Sequence, residues 1–335
     1  MTAKTAGGIW VVAEQVAGRI NTVSYELLSK ACALKKQLKS PEPVVAVVLG
    51  KAVEEIEQLG RFGAEEIITV FAPALEIYQN DTYALVLQDL ITARDPSLVL
   101  MGATAIGQDL APVLGARLKT GVAAHCVDVR INEDNYLVAV VPAFGGKVLG
   151  DILCPNTRPQ MATLKPGVLG KPTTVSEPSF IITNYDPSCS LQKDQGRIKA
   201  LEVVRQEQTG MPLEEAEVIV IGGWGIGSQE NWTLLEELAS LLGGAVGCTR
   251  PVVDEQWVKS EQQMIGTSGK SVRPKVYLGF ALSGATHHVC GMKDSGLVIS
   301  VNKDAAAPIF AVSDLRIVGD AKTFLTALIK RIKGK

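Results

Sequence analysis

The sequence predicts an α/β chain of two domains, each built on a largely parallel sheet. Three observations carry this. Apolar β-branched runs alternate with helix-like amphipathic stretches along the first third of the chain, the same alternation restarts after about residue 212, and strands without helices lie between. Strand–helix–strand alternation is what a parallel sheet with crossover helices requires. Strands in unbroken succession suggest hairpin pairing, so the middle stretch reads as an antiparallel extension of the first domain. A length of 335 residues suits about two domains, each able to bury its own core.

In the first domain, GIWVVAEQ (8–15) reads as a buried strand. NTVSYELLSKACALKKQL (21–38) reads as a helix capped by Thr22, with lysines in its last turns where the helix dipole favours cations. PVVAVVLG (43–50) and EEIITVFA (65–72) are strands separated by a helix around residues 51–60. TYALVLQDLITARDP (82–96) is a helix stopped by Pro96, and SLVLMGAT (97–104) is the next strand. From residue 121, GVAAHCVDVRI, NYLVAVVPAF, RPQMATLKPG and PSFIITNY are strands, followed by a loop over 186–197. RIKALEVVRQE (197–207) is a final strand or short helix, and QTGMP (208–212) marks the boundary, giving domains of residues 1–207 and 208–335. In the second domain AEVIVIGG, AVGCTRP, KVYLGFAL, GLVISVN and PIFAVSD are strands, ENWTLLEELASLLGG is a helix, and TFLTALIKRI is an amphipathic C-terminal helix.

Composition excludes several classes. With 47% hydrophobic and 20% charged residues the chain is not a disordered one. Thirty-three basic against 35 acidic residues give a net charge of −2, poorly suited to neutralising the phosphates of a nucleic acid. The apolar run in MTAKTAGGIWVVAE is too short for a membrane span and has no signal-peptide cleavage pattern, so the expected location is the cytoplasm. Cys32, Cys126, Cys154, Cys189, Cys248 and Cys290 are scattered without C-x-x-C or metal spacing, and read as free core or semi-buried thiols of a reducing compartment.

IGGWGIGS follows a strand and opens a helix, the place where a dinucleotide phosphate meets helix N-terminal amides. Ser228 stands where the third glycine of G-x-G-x-x-G belongs, and the next strand ends in Thr249-Arg250 rather than in an acidic ribose ligand, which disfavours NAD(P). Alone, the motif is equally a tight turn without a ligand. Arg250 is expected at the carboxyl edge of the sheet, where ligands bind. MIGTSGK (264–270) combines small residues and hydroxyls, suited to close backbone approach. LSGATHHVCGMKDS (282–295) holds two of the three histidines, but adjacent histidines without a third ligand make no metal site, and none is expected. His125 lies in an apolar stretch and reads as structural.

Taken in order, IGGWGIGSQEN (221–231), GCTRP (247–251), MIGTSGK, LSGATHHVCGMKDS and VNKD (301–304), closing at VGD (318–320), resemble the C-terminal FAD domain of the electron-transfer flavoprotein alpha subunit. GATAIGQDLAPVLGARL (102–118) resembles the N-terminal half of that family, so the resemblance covers most of the chain. It implies a doubly wound, Rossmann-like FAD domain after a nucleotide-hydrolase-like domain that packs against a partner. It further implies FAD as cofactor, a beta subunit as heterodimer partner, and flavin dehydrogenases of the acyl-CoA dehydrogenase type, hence fatty acid β-oxidation, as the electron source. The chain is then an electron carrier rather than an enzyme, moving single electrons through an anionic semiquinone.

By the same resemblance, three residues tune the flavin: Arg250 against its ring, Ser268 bonding its N5, and His288 near its N1–C2=O edge. Thr249 keeps the hydroxyl of the usual serine. Ile265, Gly266 and Thr267 accompany Ser268, while Ser283, Gly284, Ala285, Thr286 and His287 lead to His288. Asn302, and Asp320 with Ala321, belong to the adenosine end. The sequence departs from the family where Trp224 replaces an arginine that contacts the diphosphate half, where Met264 and Thr267 replace glutamines, and at His287, also a glutamine in relatives. Two alternatives stand beside the simple shuttle: the alpha subunit of an electron-bifurcating, NADH-dependent complex, and a nucleotide-binding adaptor whose flavin site has decayed.

Overall fold

The structure, a computed structural model, describes residues 7–39, 42–143, 148–192, 200, 203, 211–258 and 261–334. The chain divides into two compact units, Met1–Val203 and Val204–Lys335. Most of the expected boundary at 208–212, and of the element expected over 197–207, lies outside the described residues.

The first unit runs β1 (Ile9–Ala13), the two-residue strands β2 (Gln15–Val16) and β3 (Arg19–Ile20), α1 (Thr22–Gln37), β4 (Val44–Gly50), α2 (Glu57–Arg61), β5 (Glu66–Phe71), α3 (Asn80–Arg94), β6 (Leu98–Gly102) and α4 (Ala105–Leu118). It continues through β7 (Val122–Cys126), β8 (Asp128–Ile131), β9 (Leu137–Ala143), β10 (Val148–Ile152), β11 (Gln160–Leu164), β12 (Ile181–Asn184) and α5 (Ser188–Leu191). Seven strands form one sheet in the order β12-β5-β4-β1-β6-β11-β7, with every pairing parallel. β1, β4, β6 and β11 are buried along their whole length, as strands covered on both faces must be. Leu27, Leu28 and Leu34 of α1 cover one face, and Leu87 and Leu90 of α3 with Leu110 and Leu114 of α4 cover the other.

Several expectations are corrected here. Asn21, not Thr22, caps α1: its backbone is extended and its side chain accepts from Val23 N at 3.3 Å, leaving Thr22 as the first helical residue. The helix expected over 51–60 is confined to Glu57–Arg61. Of the strands after residue 121 in the first unit, only β8, β9 and β10 pair antiparallel; β7, β11 and β12 join the parallel sheet. The connection from β7 to β11 is made through that small antiparallel sheet instead of a helix, so strand succession alone misassigns the pairing. His125 is exposed at positive φ beside the register shift between Ala162 and Leu164, not buried in the core. None of the six cysteines is in a disulfide, as expected, although Cys189 is exposed rather than core.

The second unit runs β13 (Val218–Gly222), α6 (Gln229–Leu241), β14 (Ala245–Cys248), α7 (Arg250–Asp254), β15 (Val276–Phe280), α8 (Thr286–Val289), β16 (Leu297–Asn302), β17 (Leu315–Val318) and α9 (Ala321–Lys333). Its sheet is parallel throughout, in the order β14-β13-β15-β16-β17. PIFAV, expected as a strand, is a 3₁₀ turn over Pro308–Val312, and the edge strand is the mostly exposed LRIV that follows. Pro308 at the start of the turn has no N–H to leave unpaired, and Ile309 N–H goes to Ser283 O at 3.0 Å. Among the described residues no helix is long and apolar enough to cross a membrane.

The turn into α4 yields a test of packing. Thr104 caps this helix by accepting from Gly107 N at 3.1 Å, and a Cβ added at Gly107 would lie 1.8 Å from Gly102 O. Gly107→Ala is expected to destabilise the chain by about 1–3 kcal/mol through overpacking, read as a lower denaturation midpoint; an unchanged midpoint would contradict this packing.

Candidate functional site

The strand order of the second unit reverses between β13 and β15. In an open α/β sheet that switch point leaves a crevice at the carboxyl ends of the strands. A cavity of about 710 Å³ occupies it, walled by Gly223–Gly225 after β13, Thr249–Pro251 after β14, Ala281–Ala285 after β15, Asn302 and Asp304 at and after the end of β16, and the loop Met264–Gly269. Its size falls within the range of about 300–1,000 Å³ used by small ligands and cofactors.

The walls are held by backbone contacts. Ile265 N–H donates to Cys248 O at 3.0 Å, Lys270 N–H to Met264 O at 2.7 Å, and Thr267 N–H to His287 O at 2.8 Å, so the 264–270 loop closes on itself, on β14 and on the α8 segment. Gly266 has φ +144, and a Cβ there would meet His287 O at 2.7 Å; Gly284 has φ +83, and a Cβ there would meet Ile309 N at 2.1 Å. Asn302 Nδ2 donates to Leu282 O at 2.7 Å while Oδ1 accepts from Asp304 N at 2.9 Å, tying the end of β16 to the loop after β15.

Charge in the site is unevenly buried. Arg250 opens α7 at the rim, and its side chain is 61% exposed with Nε donating to Asp254 Oδ1 at 2.8 Å. That pairing raises the arginine further above its ordinary value. Trp224 is 60% exposed at the same mouth, and its indole N–H donates to Glu255 Oε1 at 3.3 Å. The two histidines part company. His287 is exposed, with Nδ1 3.3 Å from Thr267 Oγ1. His288 is buried, with Nδ1 2.9 Å from Ile265 O and Nε2 2.6 Å from the hydroxyl of fully buried Tyr277. Burial lowers the His288 pKa from 6.5, only partly opposed by the bond to Ile265.

The fold thus gathers Trp224, Thr249, Arg250, Ile265, Gly266, Thr267, Ser268, Ser283, Gly284, Ala285, His287, His288 and Asn302 around one cavity. Thr286, Asp320 and Ala321 lie outside the lining. The Asp320 carboxylate is already spent as the N-cap of α9, accepting from Thr323 N and Oγ1 at 2.8 Å each and pairing with Lys303 at 2.8 Å, contacts that hold its pKa below the usual carboxylate range. Sequence reasoning missed Ala307 and Pro308, because it placed PIFAV in a strand, and it missed Tyr277 as the partner of His288. A tyrosine inside an otherwise aliphatic strand was the available signal, since a buried hydroxyl must find a partner. Among the described residues no group of three or more histidines, cysteines and acids could hold a metal ion.

Residues 9–204 match the electron transfer flavoprotein domain and residues 212–293 the electron transfer flavoprotein FAD-binding domain. The electron transfer flavoprotein subunit alpha of Clostridium acetobutylicum is 40% identical over 329 residues, covering 97% of each chain. The acryloyl-CoA reductase electron transfer subunit beta of Anaerotignum propionicum is 37% identical over 352 residues, covering 97% of this chain and 95% of that one. Subunit LctC of the lactate dehydrogenase (NAD(+),ferredoxin) of Acetobacterium woodii is 35% identical over 328 residues, covering 98% and 77%. The chain belongs to the electron transfer flavoprotein alpha-subunit family. That family is one of electron carriers that work with a beta subunit, and its cofactor is FAD.

The cavity residues fit such a group. Glycines at 266 and 284 let the loops that wall the cavity close on their neighbours, Thr267, Ser268 and Ser283 bring hydroxyl-bearing side chains to the lining, and Arg250 supplies a permanent cation. Trp224 offers no charge to a diphosphate.

The buried histidine sets a pH dependence. The unfolded chain protonates His288 near 6.5 and the folded chain only at lower pH, so below about 6.5 the unfolded state binds more protons and stability falls. The thermal midpoint is therefore expected to drop between about pH 7.5 and about pH 5.5, and His288→Asn to drop less. Equal drops would show that His288 is not held neutral.

Proposed function

We propose that the second unit holds FAD in the switch-point cavity, and that the chain, paired with a beta subunit, passes single electrons between a flavin dehydrogenase and a downstream acceptor. In this reading residues 1–207 form the domain that packs on the beta subunit, residues 208–335 form the FAD domain, and the complex works in the cytoplasm, a reducing compartment that suits six free thiols. One observation carries the reading: Arg250, Ser268, Ser283 and Asn302 come from separate segments and line a single cavity.

Bound FAD supplies a ring that takes up one or two electrons. The remaining work belongs to this chain. Arg250 sets a positive charge at the rim, and its bond to Asp254 is made through Nε rather than a terminal nitrogen. Asp254 offsets part of that charge, so the field on the cavity is weaker than a lone guanidinium would give. Ser268 and Thr267, both exposed residues of the lining, add hydroxyls to it. Asn302 shapes the wall through its bonds to Leu282 and Asp304. Trp224, whose indole N–H reaches Glu255, sets an exposed aromatic face at the mouth where the family resemblance leads one to expect an arginine.

Likeness to an electron transfer subunit of acryloyl-CoA reductase supports an acyl-CoA-directed partner. Likeness to LctC, from an enzyme named for both NAD+ and ferredoxin, supports a second reading in which the complex divides electrons between two acceptors. NADH added to the heterodimer separates the two: prompt bleaching of flavin favours the second.

The first test is the visible spectrum of the chain co-expressed with its beta subunit. Flavin absorbance that titrates in single-electron steps supports the carrier. A colourless complex that FAD cannot restore would overturn it and leave the nucleotide-binding adaptor. In the loaded complex, Arg250→Gln is expected to lower the first reduction potential by on the order of tens of millivolts, because an exposed, paired charge acts through solvent; a potential unmoved by the change would remove Arg250 from the site.

A further inference from the structure

Two segments of the cavity wall and a strand behind them meet on one imidazole. His288 belongs to α8, Ile265 to the 264–269 loop, and Tyr277 to β15; the ring of His288 touches Ile265 and Tyr277 through its two nitrogens, at 2.9 and 2.6 Å. Ile265 O is a carbonyl and can only accept, so the proton sits on Nδ1. Nε2 of the neutral ring is then a lone pair, and the Tyr277 hydroxyl is the donor that reaches it. Tyr277 is fully buried, and burial drives its own ionisation well above 10, so it stays a phenol throughout the working range. With both nitrogens engaged, His288 lines the cavity without an N–H to offer.

We propose that Tyr277 is a positioning residue: its hydroxyl locks the His288 imidazole as the uncharged Nδ1–H tautomer, so that Arg250, and not His288, is the cation the cofactor meets. The identity of the ligand rests on the FAD reading above; the tautomer does not. The consequence is specific. The resemblance pointed to His288 beside the flavin as a group that protonation could charge, whereas the hydrogen-bond network makes it a neutral strut between sheet and loops.

Histidine-selective ¹⁵N labelling of the full chain, read by long-range proton–nitrogen correlation near neutral pH, tests this without cofactor. His125→Gln and His287→Gln assign the other two rings. The expected result is a single Nδ1–H tautomer for His288. Tyr277→Phe keeps the ring and removes the donor; the single tautomer is then expected to give way to a mixture, and FAD binding to weaken about threefold to tenfold, the scale of one net hydrogen bond that orders the cavity wall. A wild-type His288 that is doubly protonated or Nε2–H overturns the proposal, and this arm needs no variant to fold. So does a Tyr277→Phe protein that keeps the single tautomer or the native FAD affinity. If neither protein binds FAD, the functional reading fails while the tautomer result still decides the role of Tyr277.

Discussion

Close approach of main chain to main chain is what the second unit depends on. At Gly223 an added Cβ would sit 2.4 Å from Ala281 O, at Gly284 2.1 Å from Ile309 N, and at Gly266 2.7 Å from His287 O. At the first two, loops that leave neighbouring strands of the parallel sheet touch; at the third, the loop between β14 and β15 meets the α8 segment. Because the strand order reverses between β13 and β15, the loops diverge from that line and enclose the cavity instead of covering it. The glycines therefore act as spacers of zero width. Side chains that face the cavity inherit their positions from backbone that cannot shift, which is the preorganisation a redox site requires.

Much of this was legible in the sequence, and the failures have physical causes. Continuous aliphatic runs located β1, β4, β6 and β13 through β16 because strands buried on both faces carry no polar alternation. The same logic misplaced the last strand: PIFAV is more apolar than LRIV, yet the proline and the bond from Ile309 N to Ser283 O favour a turn. Pairing in the middle of the first unit was illegible, since β7 and β11 become parallel neighbours only through the tertiary crossover. In the site, the motifs located residues but not their hydrogen-bond partners. Asp320 carries an acid at the expected place and uses it to cap α9. His288 is where the motif puts it, and the tyrosine that decides its chemistry lies 11 residues earlier, in what reads as plain strand.

Burial divides the work of the cavity. The inner wall is neutral: His288 and Ile265 line it, and Tyr277 behind them completes a hydrogen-bond chain away from water. The rim is charged and wet, with Arg250 against Asp254 and Trp224 against Glu255. A buried cation would have required a buried counterion to offset its lost hydration. Placing the guanidinium at the rim avoids that cost and leaves the interior to shape.

That placement ties the protein to its medium. Asp254 and Arg250 face each other one helical turn apart with more than half of each side chain in solvent. Mobile ions reach such a pair freely, and at physiological ionic strength the field of an exposed charge dies away within about 8 Å. The surrounding electrolyte thus becomes a component of the cavity, setting how much of the guanidinium a bound ring senses. Chains of this family that differ only in how deeply this arginine sits would stand closest in dilute buffer and diverge in brine, because salt screens an exposed charge and spares a buried one.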